Sequence, residues 1–148
     1  MKKAVVILAI FFTIIYGCTT TSTSKKEAKV ASAAKAHKIE RILNNIPVYP
    51  TLNYDVAKSF VYESDNINAA VIVLKGKGRL SDVVSFYKEN MSKFGWDLVS
   101  MFVYNNKANM IFDSMDSSCQ IEIDQEAFNN VKVVIRTGTK SSATTVTK

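Results

Sequence analysis

Between residues 96 and 136 the chain repeats one local pattern. Apolar-rich segments of strand length at 96–104, 110–115, 119–124 and 131–136, with strict two-residue alternation in 119–124, are separated by Asn105-Asn106-Lys107, Asp116-Ser117-Ser118 and Phe128-Asn129-Asn130. Connections this short join neighbours that run in opposite directions, because a parallel pair needs a crossover of about a dozen residues or more. The C-terminal half therefore reads as an antiparallel meander. Upstream, 57–63 is a further candidate strand containing Phe60 and Tyr62, and Ala70-Val71-Ile72-Val73-Leu74 is apolar on both faces, as a strand inside a sheet should be.

One segment breaks this period. Leu80, Val83, Val84, Tyr87, Met91 and Phe94 share a face of a helix over 82–94, with Ser81 as its N-cap, Asp82 in the first turn and Gly95 at the left-handed C-terminal position. The spacing predicts an α+β domain over 47–137, an antiparallel sheet of about six strands in the order β-β-α-β-β-β-β with one helix across a face. The preceding segment 27–46 is rich in Ala and Lys, with Ile39, Ile42, Leu43 and Ile46 at three- and four-residue spacing. It predicts an amphipathic N-terminal helix stopped by Pro47 and Pro50. Segment 138–148, rich in Ser, Thr and Lys, is expected to be a disordered tail.

The N-terminus has a different character. Lys2 and Lys3 precede an uncharged apolar span over 4–16, which at about 1.5 Å per residue reaches only about 20 Å, short of a hydrocarbon core of about 30 Å. A short basic start before such a span is the layout of a secretory signal peptide. It ends in Ile15-Tyr16-Gly17-Cys18, followed by the polar tract Thr19-Thr20-Thr21-Ser22-Thr23-Ser24. In this order the chain resembles bacterial lipoproteins, although Tyr16 stands where such boxes carry a smaller residue. The resemblance implies that 1–17 is a removable signal peptide and that Cys18 carries diacylglycerol and an acylated amino terminus. Residues 18–26 would be a flexible tether holding the exported protein to a membrane of the cell envelope. Thr19 and Thr20 lack the aspartate that holds many such proteins at an inner membrane. In a two-membrane cell the resemblance therefore points to the periplasmic face of the outer one.

A second resemblance rests on Val48-Tyr49-Pro50, on 86–96 with its Phe86-Tyr87, Met91 and Gly95-Trp96, on Phe112 and on Cys119-Gln120-Ile121-Glu122-Ile123. These are similar to a group of small exported bacterial domains of unknown function, over about 46–136. Because the shared residues are packing residues, the resemblance implies a fold and no catalytic group.

Composition narrows the function classes. Cleavage before Cys18 would remove Lys2 and Lys3 and lower the formal net charge from +6 to +4. That excess is too small and dispersed for a nucleic-acid partner, whereas Lys25, Lys26, Lys29, Lys35 and Lys38 suit a solvated linker beside a membrane. His37, the single histidine, lies on a polar helix face and leaves no basis for a histidine-built metal site or nucleophilic triad. Cys119 alternates with Ile121 and Ile123, so its thiol should point inward as a small core residue. Gly76-Lys77-Gly78 lacks the longer phosphate-loop spacing and reads as a turn. Glu122, Asp124 and Glu126 fall on the outward face, where carboxylates stay hydrated.

These readings give no enzyme, no metal and no cofactor beyond the lipid on Cys18. What remains is the aromatic load. Core filling accounts for most of it, but Phe60, Tyr62, Phe102 and Tyr104 could form a partner surface on the sheet side opposite the 82–94 helix. The sequence thus predicts a lipid-anchored binding or structural module with an envelope protein as partner. The alternative is a carrier of an apolar or lipidic ligand between helix and sheet.

Overall fold

The computed structural model describes residues 23–65 and 67–140. The signal segment and Cys18 lie outside the described residues, as does 141–148. The chain forms α1 (Thr23–Leu43), β1 (Leu52–Tyr54), β2 (Phe60–Glu63), β3 (Asn68–Lys77) and α2 (Leu80–Asn90), which tightens into a 3-10 turn over Met91–Phe94. The meander follows as β4 (Asp97–Tyr104), β5 (Lys107–Asp113), β6 (Ser117–Gln125) and β7 (Asn130–Thr139).

All pairings are antiparallel, and the sheet runs β1-β3-β7-β6-β5-β4, with β2 also on β3. Helix α2 carries the chain from β3 to the far edge, where β4 starts. The meander then returns strand by strand until β7 pairs with β3 along nearly its whole length. This is an α+β fold with seven strands where about six were expected, in the order β-β-β-α-β-β-β-β.

The additional strand arises at one edge. β1 pairs with residues 74–76 of β3 and β2 with residues 68–71, so the two are pieces of one interrupted edge strand. β1 is admitted by Gly76, where any Cβ would overlap the Thr51 carbonyl oxygen. Between the pieces, 55–59 bulges out around Asp55, whose Oδ1 accepts from the Ala57 and Lys58 amides. Ser59 repairs the gap in the ladder: its Oγ accepts from the Val73 amide at 3.1 Å and donates to the Asp55 carbonyl at 2.7 Å. A buried amide without a partner would cost about 1–3 kcal/mol, so this hydroxyl substitutes for the missing strand residue.

One face of the sheet forms the core. Ala70, Ile72 and Leu74 of β3, Val131, Val133 and Ile135 of β7, Cys119, Ile121 and Ile123 of β6, and Ala108, Met110 and Phe112 of β5 all point to the same side, against Val83, Tyr87 and Met91. Tyr49, Phe86, Tyr87 and Trp96, which carry the second resemblance, pack here as well. Tyr49 meets Phe86 edge to face at 5.3 Å, and Phe86 meets Tyr87 at 5.4 Å.

Helix α1 adds Ile39 to this same core, and the turn that follows the helix adds Ile46. Polar contacts fix its C-terminal half: Tyr54 Oη donates to Glu40 at 2.7 Å, Lys38 and Arg41 pair with Glu63, and Trp96 Nε1 donates to the Asn45 carbonyl at 2.7 Å. Both helices therefore lie on one face, and no other described element covers the second.

Several local expectations need correction. α1 begins at Thr23, inside the stretch read as tether, and ends at Leu43, before Ile46. Residues Gly76 and Lys77 continue β3 where a turn was expected, and β7 runs on to Thr139, into the stretch read as tail. Ser81 sits inside α2, and the N-cap is Arg79, without a side-chain cap bond. The cap comes from across the fold: Gln125 Oε1 accepts from the Leu80 amide at 2.6 Å. Gly95 takes the left-handed position, at φ 79°.

Candidate binding surfaces

The register places the partner-surface residues. Phe60 pairs with Val71 and Tyr62 with Ala69, while Phe102 pairs with Asn109 and Tyr104 with Lys107. Paired residues of an antiparallel ladder share a face. Followed across the sheet, Phe60 lies in a row with Arg136 and Gln120, and Phe102 in a row with Glu122 and Val134. All four aromatics thus stand on the face opposite α2, and all are exposed, from 49% for Tyr62 to 67% for Phe102.

They do not form one patch. β2 and β4 are opposite edges with β3, β7, β6 and β5 between them, a separation of about 24 Å at ~4.8 Å per strand. Two aromatic pairs result. Phe102 and Tyr104 stack with ring centroids 6.4 Å apart and planes 19° from parallel.

The ground between them is polar. Arg136 pairs with Glu122 at 2.9 Å, Lys107 lies 2.8 Å from Asp124 with Lys132 at 3.8 Å on its other side, and Gln120 donates to Asn109 at 3.2 Å. Glu122 and Asp124 are outward, as alternation predicts, and each is held by a cation. The Asp124 carboxylate raises the pKa of the Lys107 ammonium. Asp113 is held below the usual carboxylate range by the Ser118 hydroxyl and by Lys140. Glu126 follows β6 and is exposed.

A second feature lies on the helix side. Beneath the end of α1, a half-open groove of about 570 Å³ is bordered by Arg41, Ile42, Ile46, Ala70, Trp96 and Thr137. Its apolar wall combines Ile42 of α1, Ile46 of the following turn, Ala70 of β3 and Trp96, and the Arg41–Glu63 pair borders it.

The remaining candidates are placed as follows. His37 is exposed on α1. Cys119 is 1% exposed, and burial pushes its thiol up to about 12, so the thiolate needed for reactivity is suppressed. Among the described residues no group of three or more His, Cys, Asp or Glu side chains is placed to hold a metal ion, and no helix is long and apolar enough to cross a membrane. Cys18 lies outside the described residues.

Gln125 and Trp96 are the residues whose roles sequence reasoning missed. Besides capping α2, Gln125 donates through Nε2 to the Gly78 carbonyl at 3.1 Å and the Asn130 carbonyl at 2.8 Å. It ties the β3–α2 connection to the β6–β7 turn. Its position at the polar end of a strand carries no signal of that role. Compared with protein-family models, curated proteins and solved structures, the chain matches none.

Proposed function

We propose that this chain is a membrane-anchored lipoprotein of the cell envelope whose α+β domain is a binding or structural module without catalytic chemistry. The anchor reading rests on the order of Lys2-Lys3, the apolar span, Gly17-Cys18 and the Thr/Ser tract. With two or three acyl chains on Cys18, each buried CH₂ contributing about 0.8 kcal/mol, attachment would be effectively permanent. The protein would be exported, on the periplasmic face of the outer membrane in a two-membrane cell. The second resemblance, to small exported domains, fits the same location.

The observation that carries the binding reading is the uncovered sheet face with exposed Phe60 and Tyr62 at one edge and Phe102 and Tyr104 at the other. Aromatics are enriched where surfaces meet protein partners, and each aromatic pair is bordered on its inner side by the ion-paired centre of the face, a polar margin to either contact. An envelope protein is the partner this surface suits. The test has two arms. Cys18→Ala should leave the chain unlabelled by radioactive palmitate and release it from the membrane fraction. Photocrosslinkers placed at Phe60 and Phe102 should capture adducts that the same crosslinker at His37 does not. Adducts of equal yield at all three positions would sink the binding reading.

A second reading, carriage of an apolar or lipidic ligand, is favoured by the groove under α1, whose volume falls within the ~300–1,000 Å³ range of small-molecule sites. Native mass spectrometry of the purified protein should then show a co-purified ligand. A spectrum of the bare chain after extraction from its own cells would remove this reading.

A further inference from the structure

The two edges of the sheet are unlike. The β1/β2 edge is interrupted by the bulge at 55–59 and flanked by Asp55, Lys58 and Glu63, devices that keep a sheet edge from templating another strand. The β4 edge has little such protection. All eight of its residues are exposed, and its sequence Asp97-Leu-Val-Ser-Met-Phe-Val-Tyr104 has no Lys, Arg or Pro and only Asp97 as a charge. Leu98, Met101 and Val103 are exposed on the helix side, Phe102 and Tyr104 on the outer side.

The main chain of this edge is also available. The Asn106 carbonyl accepts from the Gln125 amide, so the even-numbered residues of β5 bond to β6 and the odd-numbered ones to β4. Lys107 and Asn109 then bond to Tyr104 and Phe102, and the N–H and C=O of Met101 and Val103 point to the open side. A register shift between Leu98 and Ser100 ends the regular run, leaving 100–104 as an uninterrupted strand.

We infer that this edge pairs with the same edge of a second copy of this chain, antiparallel about a twofold axis through Phe102, so that one sheet runs through both. This divides the aromatic surface of the binding reading, giving the β4 edge to a second copy and leaving Phe60 and Tyr62 to an envelope partner, and it does not depend on the anchor. The segment 100–104 is complementary to itself in this register. Met101 and Val103 would face Val103 and Met101 of the second copy and exchange main-chain hydrogen bonds. Ser100 would lie across from Tyr104, small against large, with the two Phe102 rings adjacent on the outer face. The lone charge, Asp97, falls outside the paired run and meets no like charge. The twofold closes the assembly, and the guarded β1/β2 edge keeps it from growing further. Four of the six exposed apolar residues of β4, Met101, Phe102, Val103 and Tyr104, fall in the paired run, so the pairing covers apolar side chains on both faces of the sheet as well as joining its main chain.

The test uses the full chain, purified in mild detergent, in a Cys18→Ser background that keeps the readout independent of the lipid, with Phe102→Cys. A non-hydrogen-bonded antiparallel pair sets its Cα atoms about 4.5 Å apart, within disulfide reach. Mild oxidation should give a band of twice the chain mass, reversed by reductant, while Tyr62→Cys, exposed on the same face at the other edge, and the unsubstituted chain should not. Adding Val103→Lys to Phe102→Cys sets a charge into the paired run and should lower the dimer yield by about tenfold, with the circular dichroism spectrum unchanged. A dimer band equally strong from Tyr62→Cys, or no dimer band from Phe102→Cys, overturns the inference. So does a crosslink from Phe102→Cys only to a chain of different mass, which would assign the edge to a foreign strand.

Discussion

Gln125→Ala should destabilise the fold by more than its half-exposed position suggests. The side chain makes hydrogen bonds of 2.6, 3.1 and 2.8 Å to the Leu80 amide and to the Gly78 and Asn130 carbonyls. Each is worth about 0.5–1.5 kcal/mol net, and loss of an N-terminal cap about 1 kcal/mol in its own right. Water can reach part of the site, so the expected loss is about 2–3 kcal/mol. With a urea slope of about 1–3 kcal/mol per molar, the unfolding midpoint should fall by about 1 M. Gln125→Glu separates the contributions. A carboxylate still accepts from Leu80 at the positive end of α2, but it faces two carbonyls with no proton to donate. At neutral pH it should therefore be as unstable as the alanine variant, and it should recover in part when acid protonates it. Native-state hydrogen exchange should show the Leu80 amide opening first in the alanine variant. A midpoint within about 0.3 M of the parent, at unchanged slope, would mean that solvent replaces all three bonds without cost, and the clip would then have no energetic role.

Other substitutions test the packing. Gly76→Ala should destabilise by about 1–3 kcal/mol, because its Cβ would meet the Thr51 carbonyl, and faster hydrogen exchange should be confined to the β1 pairing of residues 52–54. Tyr87→Phe should be close to neutral in thermal or urea unfolding, since the buried Tyr87 hydroxyl is directed toward the Tyr49 main chain but makes no hydrogen bond of normal geometry among the described residues. A clear loss of stability would reveal a partner for it. Cys119 should resist thiol reagents in the native protein and react at once in urea. Its folded value of about 12 lies above the ordinary 9, so between those values the folded chain holds the proton that the unfolded chain has lost. Its contribution to stability is thus complete below pH 9 and declines as pH rises toward 12. Thiolate absorbance should appear only with unfolding.

The meander and α2 were legible because their periods are imposed by one buried face. Cys119, Ile121 and Ile123 alternate with Gln120, Glu122 and Asp124, and no other register buries the first set. β1 was not legible, since a three-residue strand has no period and exists because Gly76 lets Thr51 approach. The same holds for Ser59 and Gln125, whose partners lie 14 and 45 residues away in sequence and can be matched only once the sheet is assembled. Ser81 illustrates the reverse error. Its residue type suits a cap, but the helix starts two residues earlier than expected, at Leu80, where Gln125 supplies the acceptor. The aromatic surface was half legible: the aromatic load marked Phe60, Tyr62, Phe102 and Tyr104 as a surface opposite α2, while strand order, which no local pattern encodes, sent them to opposite edges.

That separation bears on which reading of the domain can hold. A carrier needs a dry apolar interior, and the outer face cannot offer one. Arg136–Glu122 and Lys107–Asp124–Lys132 occupy its centre, and stripping water from such pairs without equivalent partners would cost several kcal/mol per ion. The outward Val73 and Val134 are nearly buried, and Val71 and Ile111, the latter 38% exposed, are separated by Arg136 and Gln120, so no continuous apolar surface spans this face. On the carrier reading a ligand would therefore be confined to the groove beneath α1, and on the binding reading a protein partner to the aromatic edges. The two functions would use opposite sides of one sheet. Trp96→Phe discriminates between them, because Trp96 lines the groove and holds α1 through the Asn45 carbonyl. Loss of that hydrogen bond should loosen α1 and release a groove-bound ligand, while leaving crosslinking from Phe60 and Phe102 intact. If the substitution abolished the crosslinks as well, α1 and the outer face would be coupled through the sheet, and the assignment of separate sides would fail.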